Sequence, residues 1–172
     1  MKRIARVYEW VLFLPAVLPL FYVQGMMYPL LAPKVFALRA LGVVALALFS
    51  YLALNGREFF WNRLRAHGAW IPAALLVLAY LASLFGVDFY HSFWSTFERS
   101  DGLLTLTVCV GYFYLLLLSA EASWMPRLFK IAGWTGTLAA VYLVLQWIEV
   151  SGGMSLPFIV EPNGRIGGTL GN

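Results

Sequence analysis

Apolar residues fall into five long blocks, and the polar positions lie almost entirely between them. The blocks cover about 8–24, 35–54, 69–86, 103–120 and 131–148. A helix needs about 20 mostly apolar residues to cross a bilayer, and each block reaches or approaches that length. The pattern predicts an all-α fold, a polytopic membrane bundle of about five transmembrane helices. Pro15 and Pro19 sit in the first block, where a kink is expected whose freed backbone groups neighbouring helices resatisfy. The N-terminus opens Met1-Lys2-Arg3, then Arg6, then a long apolar run. That is the layout of a signal sequence, but no small-residue cleavage site closes the run cleanly. It reads as a retained first helix, with a cleaved signal as the alternative.

Two stretches differ in kind. Between the third and fourth blocks, Phe89, Phe93 and Phe97 recur every four residues, with Tyr90 and Trp94 beside them. At helical spacing these rings share one face. Too short to span, the stretch predicts an interfacial helix over about 88–99 on the outer side, capped by Asp88. From spacing alone Glu98 and Arg99 are either solvated groups on an anchor or, for Arg99, a planar fork suited to phosphate oxygens. The second stretch, 151–172, is a Gly-rich tail expected outside the cytoplasm. Its glycines allow close backbone approach to a ligand, and with Arg165 they fit an anion-binding nest; a flexible external loop is the alternative. No GK[ST] follows them, so this is not a Walker loop.

Composition sharpens the membrane reading. Of 172 residues, 62% are hydrophobic and 12% charged, half the charged share of a soluble domain, which is about a quarter. Too little polar surface remains to cover a water-soluble globule. The seven Trp and nine Tyr suit a membrane–water boundary. The net charge of +4 forms no basic stripe, which argues against a nucleic-acid partner. The basic residues instead read as topology signals. With the N-terminus in the cytoplasm, eight lie inside (Lys2, Arg3, Arg6, Arg57, Arg63, Arg65, Arg127 and Lys130) and four outside (Lys34, Arg39, Arg99 and Arg165), the expected bias. Arg39, near the outer end of the second block, is expected to snorkel to the interface. Gly133 and Thr137 form a small-xxx-small pair. Cys109 reads as an inert small hydrophobe.

Candidate chemistry is sparse. No HExxH, GxSxG or GxGxxG is present. No CxxC or Cys/His cluster offers a metal site. His67 and His91 are expected on opposite sides of the bilayer. No catalytic constellation is complete, and catalytic residues are expected beyond position 172.

Two elements gain meaning together. Ser92-Phe-Trp-Ser-Thr-Phe-Glu-Arg-Ser-Asp-Gly-Leu103 is followed about 60 residues later by Arg165-Ile-Gly-Gly-Thr-Leu-Gly-Asn172. The pair resembles the O-antigen ligase and O-antigen polymerase family of bacterial membrane glycosyltransferases, in which an "SFW…R.xGL" element precedes one membrane helix and an "R…GT.GN" element opens the next. The resemblance covers about 84–172. It implies a multi-pass protein of the bacterial cytoplasmic (inner) membrane that works on the outer face. The implied reaction transfers a glycan from a polyprenyl-diphosphate carrier to a lipid A core sugar, a polysaccharide chain or a protein, without metal or cofactor. Arg165 and then Arg99 are the implied diphosphate contacts, with Gly167, Gly168, Asn172 and Trp94 in support. The family's later helices and large outer loop have no counterpart here, so the chain is expected to be an N-terminal piece of a longer protein, or a truncated reading frame, that does not catalyse transfer alone. A transporter subunit and a non-catalytic membrane scaffold are the rival readings.

Overall fold

The computed structural model describes residues 2–21, 31–96 and 102–152. Among them every regular element is helical. Helix α1, Lys2–Phe13, is amphipathic: Tyr8, Val11, Leu12 and Phe13 are buried, while Lys2, Arg3 and Arg6 face outward. A 3₁₀ segment, Leu14–Leu20, follows directly. The expected single kinked helix over 8–24 is therefore not formed, because the α-helical turn stops at Phe13. Pro15 has no N–H to give the Val11 carbonyl, and Pro19 repeats the deficit a turn later. The hydroxyl of Tyr112 instead points at the Val11 carbonyl, at a long 3.5 Å.

Helix α2, Ala32–Leu54, starts with Pro33 in its first turn, where a missing N–H costs nothing. Asn55 closes it by donating from its side chain to the Tyr51 carbonyl at 2.8 Å. Gly56, at φ +80°, supplies the left-handed step after the helix end. A 3₁₀ turn, Trp61–Arg65, leads to α3, Ile71–Leu84, again with proline in the first turn. Helix α4, Phe89–Trp94, is short. Helix α5 is Leu103–Ser119 and helix α6 is Trp124–Gly152.

Among the described residues two helices, α2 at 23 residues and the Trp124–Glu149 stretch of α6 at 26, are long and apolar enough to cross a membrane. At 14 and 17 residues, α3 and α5 are shorter than the blocks that predicted them. The sequence pattern thus located the apolar helices, but among the described residues only two of the five expected spans form helices of spanning length.

Helix α5 is the hub, packing on α1, α2, α3 and α4. It runs parallel to α2: Arg39 meets Thr105 and Gly42 meets Val108 at a constant offset of 66 positions. It runs antiparallel to α3, since Tyr80 meets Thr107 while Ala69 meets Tyr114. One end of the bundle therefore gathers the starts of α3 and α6 with the ends of α2 and α5. The other gathers the starts of α2 and α5 with the end of α3 and with α4.

The core lies toward the first of these ends. Tyr8, Leu12 and Leu52 are fully enclosed, with Phe59, Tyr112, Leu115 and Trp124 around them. Tyr8 shares a 2.8 Å hydrogen bond with Ser119. Arg63 donates to the Leu117 and Ala120 carbonyls at 3.0 and 2.5 Å, covering the orphan acceptors at the end of α5. Elsewhere Val43, Leu46, Leu54, Leu78 and Phe85 face outward. The Gly133–Thr137 pair is not a packed interface among the described residues. Thr137 donates back to the Gly133 carbonyl at 2.9 Å, and nothing lies within 4 Å of a Cβ placed on Gly133.

Where α2 and α5 cross, a Cβ on Gly42 would stand 2.7 Å from Val108 Cγ1. Valine is stiff at χ1, so the helices themselves must part. Gly42→Ala is expected to destabilise the protein by about 1–3 kcal/mol, read as a lowered thermal midpoint in detergent.

Candidate functional site

The candidate site lies at the end of the bundle formed by α4 and the starts of α2 and α5. Asp88 caps α4 as the sequence predicts, its carboxylate accepting from the His91 N–H at 3.0 Å. The rings also meet at helical spacing: Phe89 and Phe93 stack at 6.0 Å, Tyr90 and Trp94 lie 6.5 Å apart, and Phe93 and Trp94 contact edge-on at 5.2 Å. Phe89, Tyr90 and Trp94 remain exposed. Shorter than expected, the helix ends at Trp94 rather than near 99. Ser95, at φ +64°, turns the chain through a region that disfavours a side chain.

That turn seats α4 on α5. A Cβ on Gly102 would stand 2.4 Å from the Phe93 carbonyl oxygen and 2.8 Å from the Ser95 nitrogen. Both are backbone atoms with no freedom to swing aside, so only glycine permits the approach. Within the expected element from Ser92 to Leu103, the described residues thus bring the end of the aromatic helix against Gly102 and the first turn of α5; 97–101 lie outside the described residues.

Beside this contact stands Arg39. Its Nε and Nη2 donate to the Thr105 hydroxyl at 3.1 and 2.8 Å. Arg39 is half-buried, and its guanidinium meets a hydroxyl in the first turn of α5 at this end of the bundle. Lys34 stands in the first turn of the same helix, its Nζ enclosed and without a hydrogen-bond partner among the described residues. Two cations thus flank the start of α2. Tyr80 and Thr107 share a 2.9 Å hydrogen bond, and Thr107 donates to the Leu103 carbonyl at 2.7 Å.

Of the sequence-predicted site residues, only Trp94 falls among those described. Arg99, Arg165, Gly167, Gly168 and Asn172 lie outside them, as does most of the 151–172 tail. His67 and His91 stand at opposite ends of the bundle, His67 before α3 and His91 on α4. Sequence reasoning missed Thr105, Tyr80 and Thr107, whose pairing depends on which helices are neighbours. It also missed Gln146 and Glu149, buried three positions apart on α6; two polar residues at that spacing in an apolar helix were a readable signal. Among the described residues no group of three or more His, Cys, Asp and Glu side chains is placed to hold a metal ion. Cys109 is exposed on α5.

Because backbone opposes it, Gly102→Ala is expected to cost about 1–3 kcal/mol and to lift α4 off α5. Faster proteolytic cleavage between Trp94 and Leu103 is the readout. Thr105→Val removes an acceptor from a charged donor and is expected to cost about 1.5 kcal/mol in thermal unfolding. Comparison with protein-family models, with curated proteins and with solved structures finds no match to this chain.

Proposed function

We propose that these residues belong to a multi-pass membrane glycosyltransferase of the O-antigen ligase and polymerase type. It takes a glycan from a polyprenyl diphosphate on the outer face of the bacterial cytoplasmic membrane. The observation that carries the reading is the pairing of Ser92–Leu103 with Arg165–Asn172 in one apolar chain. The local architecture is compatible with it. The described residues of the first element set exposed rings beside the start of α5, and Lys34 and Arg39 add positive charge at that end. In this reading the five apolar segments cross the bilayer with the N-terminus in the cytoplasm, so that this end faces outward.

The chemistry follows from the leaving group. Breaking the glycosidic bond leaves its electron pair on the diphosphate, whose negative charge grows in the transition state. Arginine forks placed where that charge develops stabilise it more than they stabilise the bound donor. Arg165 takes this role first and Arg99 second. Trp94 and its neighbouring rings offer an apolar surface to the prenyl chain or a stacking face to a sugar.

In membranes expressing the native gene, Arg165→Ala and Arg99→Ala are each expected to lower glycan transfer about a hundredfold while insertion stays normal. Transfer at the native rate in both variants would remove these arginines from the mechanism. Single cysteines at 99 and 165, introduced after Cys109→Ser, are expected to react with an impermeant thiol reagent from the same, outer side. Labelling from opposite sides would end the proposal.

A further inference from the structure

At the opposite end of the bundle, α1 and the first three turns of α6 line a cavity of about 460 Å³. Its charged lining is Arg6, Glu9, Arg127 and Lys130, and Trp10 and Trp134 flank it. Arg127 is held by Glu9 at 2.5 Å, which neutralises one cation. Arg6 and Lys130 are exposed and have no ion-pair partner among the described residues, so the cavity carries two uncompensated positive charges. The two indoles are 58% and 62% exposed, an unfavourable state in water but the usual one at a headgroup boundary. Phe13 and Ile131 give the same cavity an apolar wall.

We infer that this cavity is a binding site for an anionic phospholipid. Its phosphodiester would sit between Arg6 and Lys130 and its acyl chain against Phe13 and Ile131. A basic pocket between apolar helices recognises a lipid headgroup through charge, while the hydrocarbon wall excludes small hydrated anions. A zwitterionic headgroup would bring its own ammonium against Arg6 and Lys130. The site is independent of transfer chemistry at the other end, and it fits the basic end of the bundle lying at the leaflet where anionic lipids draw basic residues.

Native mass spectrometry of the full chain in detergent, with equimolar phosphatidylglycerol and phosphatidylcholine, tests it. Phosphatidylglycerol is expected to be retained preferentially. Arg6→Gln with Lys130→Gln is expected to weaken its retention at least tenfold. Glu9→Gln, which releases Arg127 from its partner, is expected to strengthen retention several-fold. Equal retention of the two lipids by the wild-type chain overturns the site, and so does an undiminished preference in the double variant. Displacement of the lipid by millimolar glycerol phosphate would instead make it a site for soluble anions, and would equally overturn the inference. All three substituted side chains are at the surface or in an ion pair, and the wild-type lipid comparison does not depend on the variants folding.

Discussion

In the bilayer setting proposed above, apolar helices gain little from apolar contact with one another, because lipid chains offer the same contact. What chooses neighbours is the close approach of backbones and the few polar groups that must find partners. In this protein both are concentrated on α5. Its hydroxyls at Thr105, Thr107, Tyr112, Tyr114 and Ser119 reach Arg39 of α2, Tyr80 of α3, the Val11 carbonyl and Tyr8 of α1, and the Ala69 carbonyl ahead of α3. Arg63 then occupies the carbonyls where the helix ends. A 17-residue helix thus holds three others in register, each through a bond that would be left open if the helix slid by one turn.

The same constraint explains what was legible in the sequence. The apolar blocks behind α2 and α5 reported helices, since a long apolar run has one regular way to satisfy its backbone. Asp88 as a cap and the four-residue ring spacing of α4 were equally readable, being local. The first block misled because apolarity records burial and not helix type, so the effect of Pro15 and Pro19 was underestimated. Arg39 was readable as a cation near a helix end, but its Thr105 partner depends on the parallel pairing of α2 with α5, which chain order alone does not give. At the candidate site the run from Ser92 to Leu103 was visible as a motif, but the role of Gly102 as the point of backbone contact was not. Position along a chain does not reveal what approaches it.

Charge divides the molecule in a way that the apolar pattern alone does not. At the end holding the starts of α3 and α6, Arg57 lies 5.7 Å from the Phe59 ring and 3.9 Å from the Glu121 carboxylate, while Arg63 covers Phe60 at 3.9 Å. These cations are absorbed into packing. Arg6 and Lys130 at the same end are not. Basic residues that look alike as topology signals therefore separate into structural and available groups once their surroundings are seen.

The Leu14–Leu20 segment has an effect beyond ending a helix early. A 3₁₀ helix repeats every three residues, so side chains three apart eclipse instead of spiralling. Leu14, Val17 and Leu20 accordingly form a straight rib. Opposite them, Ala37, Ala40, Leu41 and Val44 of α2 complete a hydrophobic cavity of about 490 Å³. Pro15 and Pro19 line none of it, yet by dictating the winding of the backbone they determine which leucines and valines point into it. The shape of that hollow is written in two residues that never touch its interior.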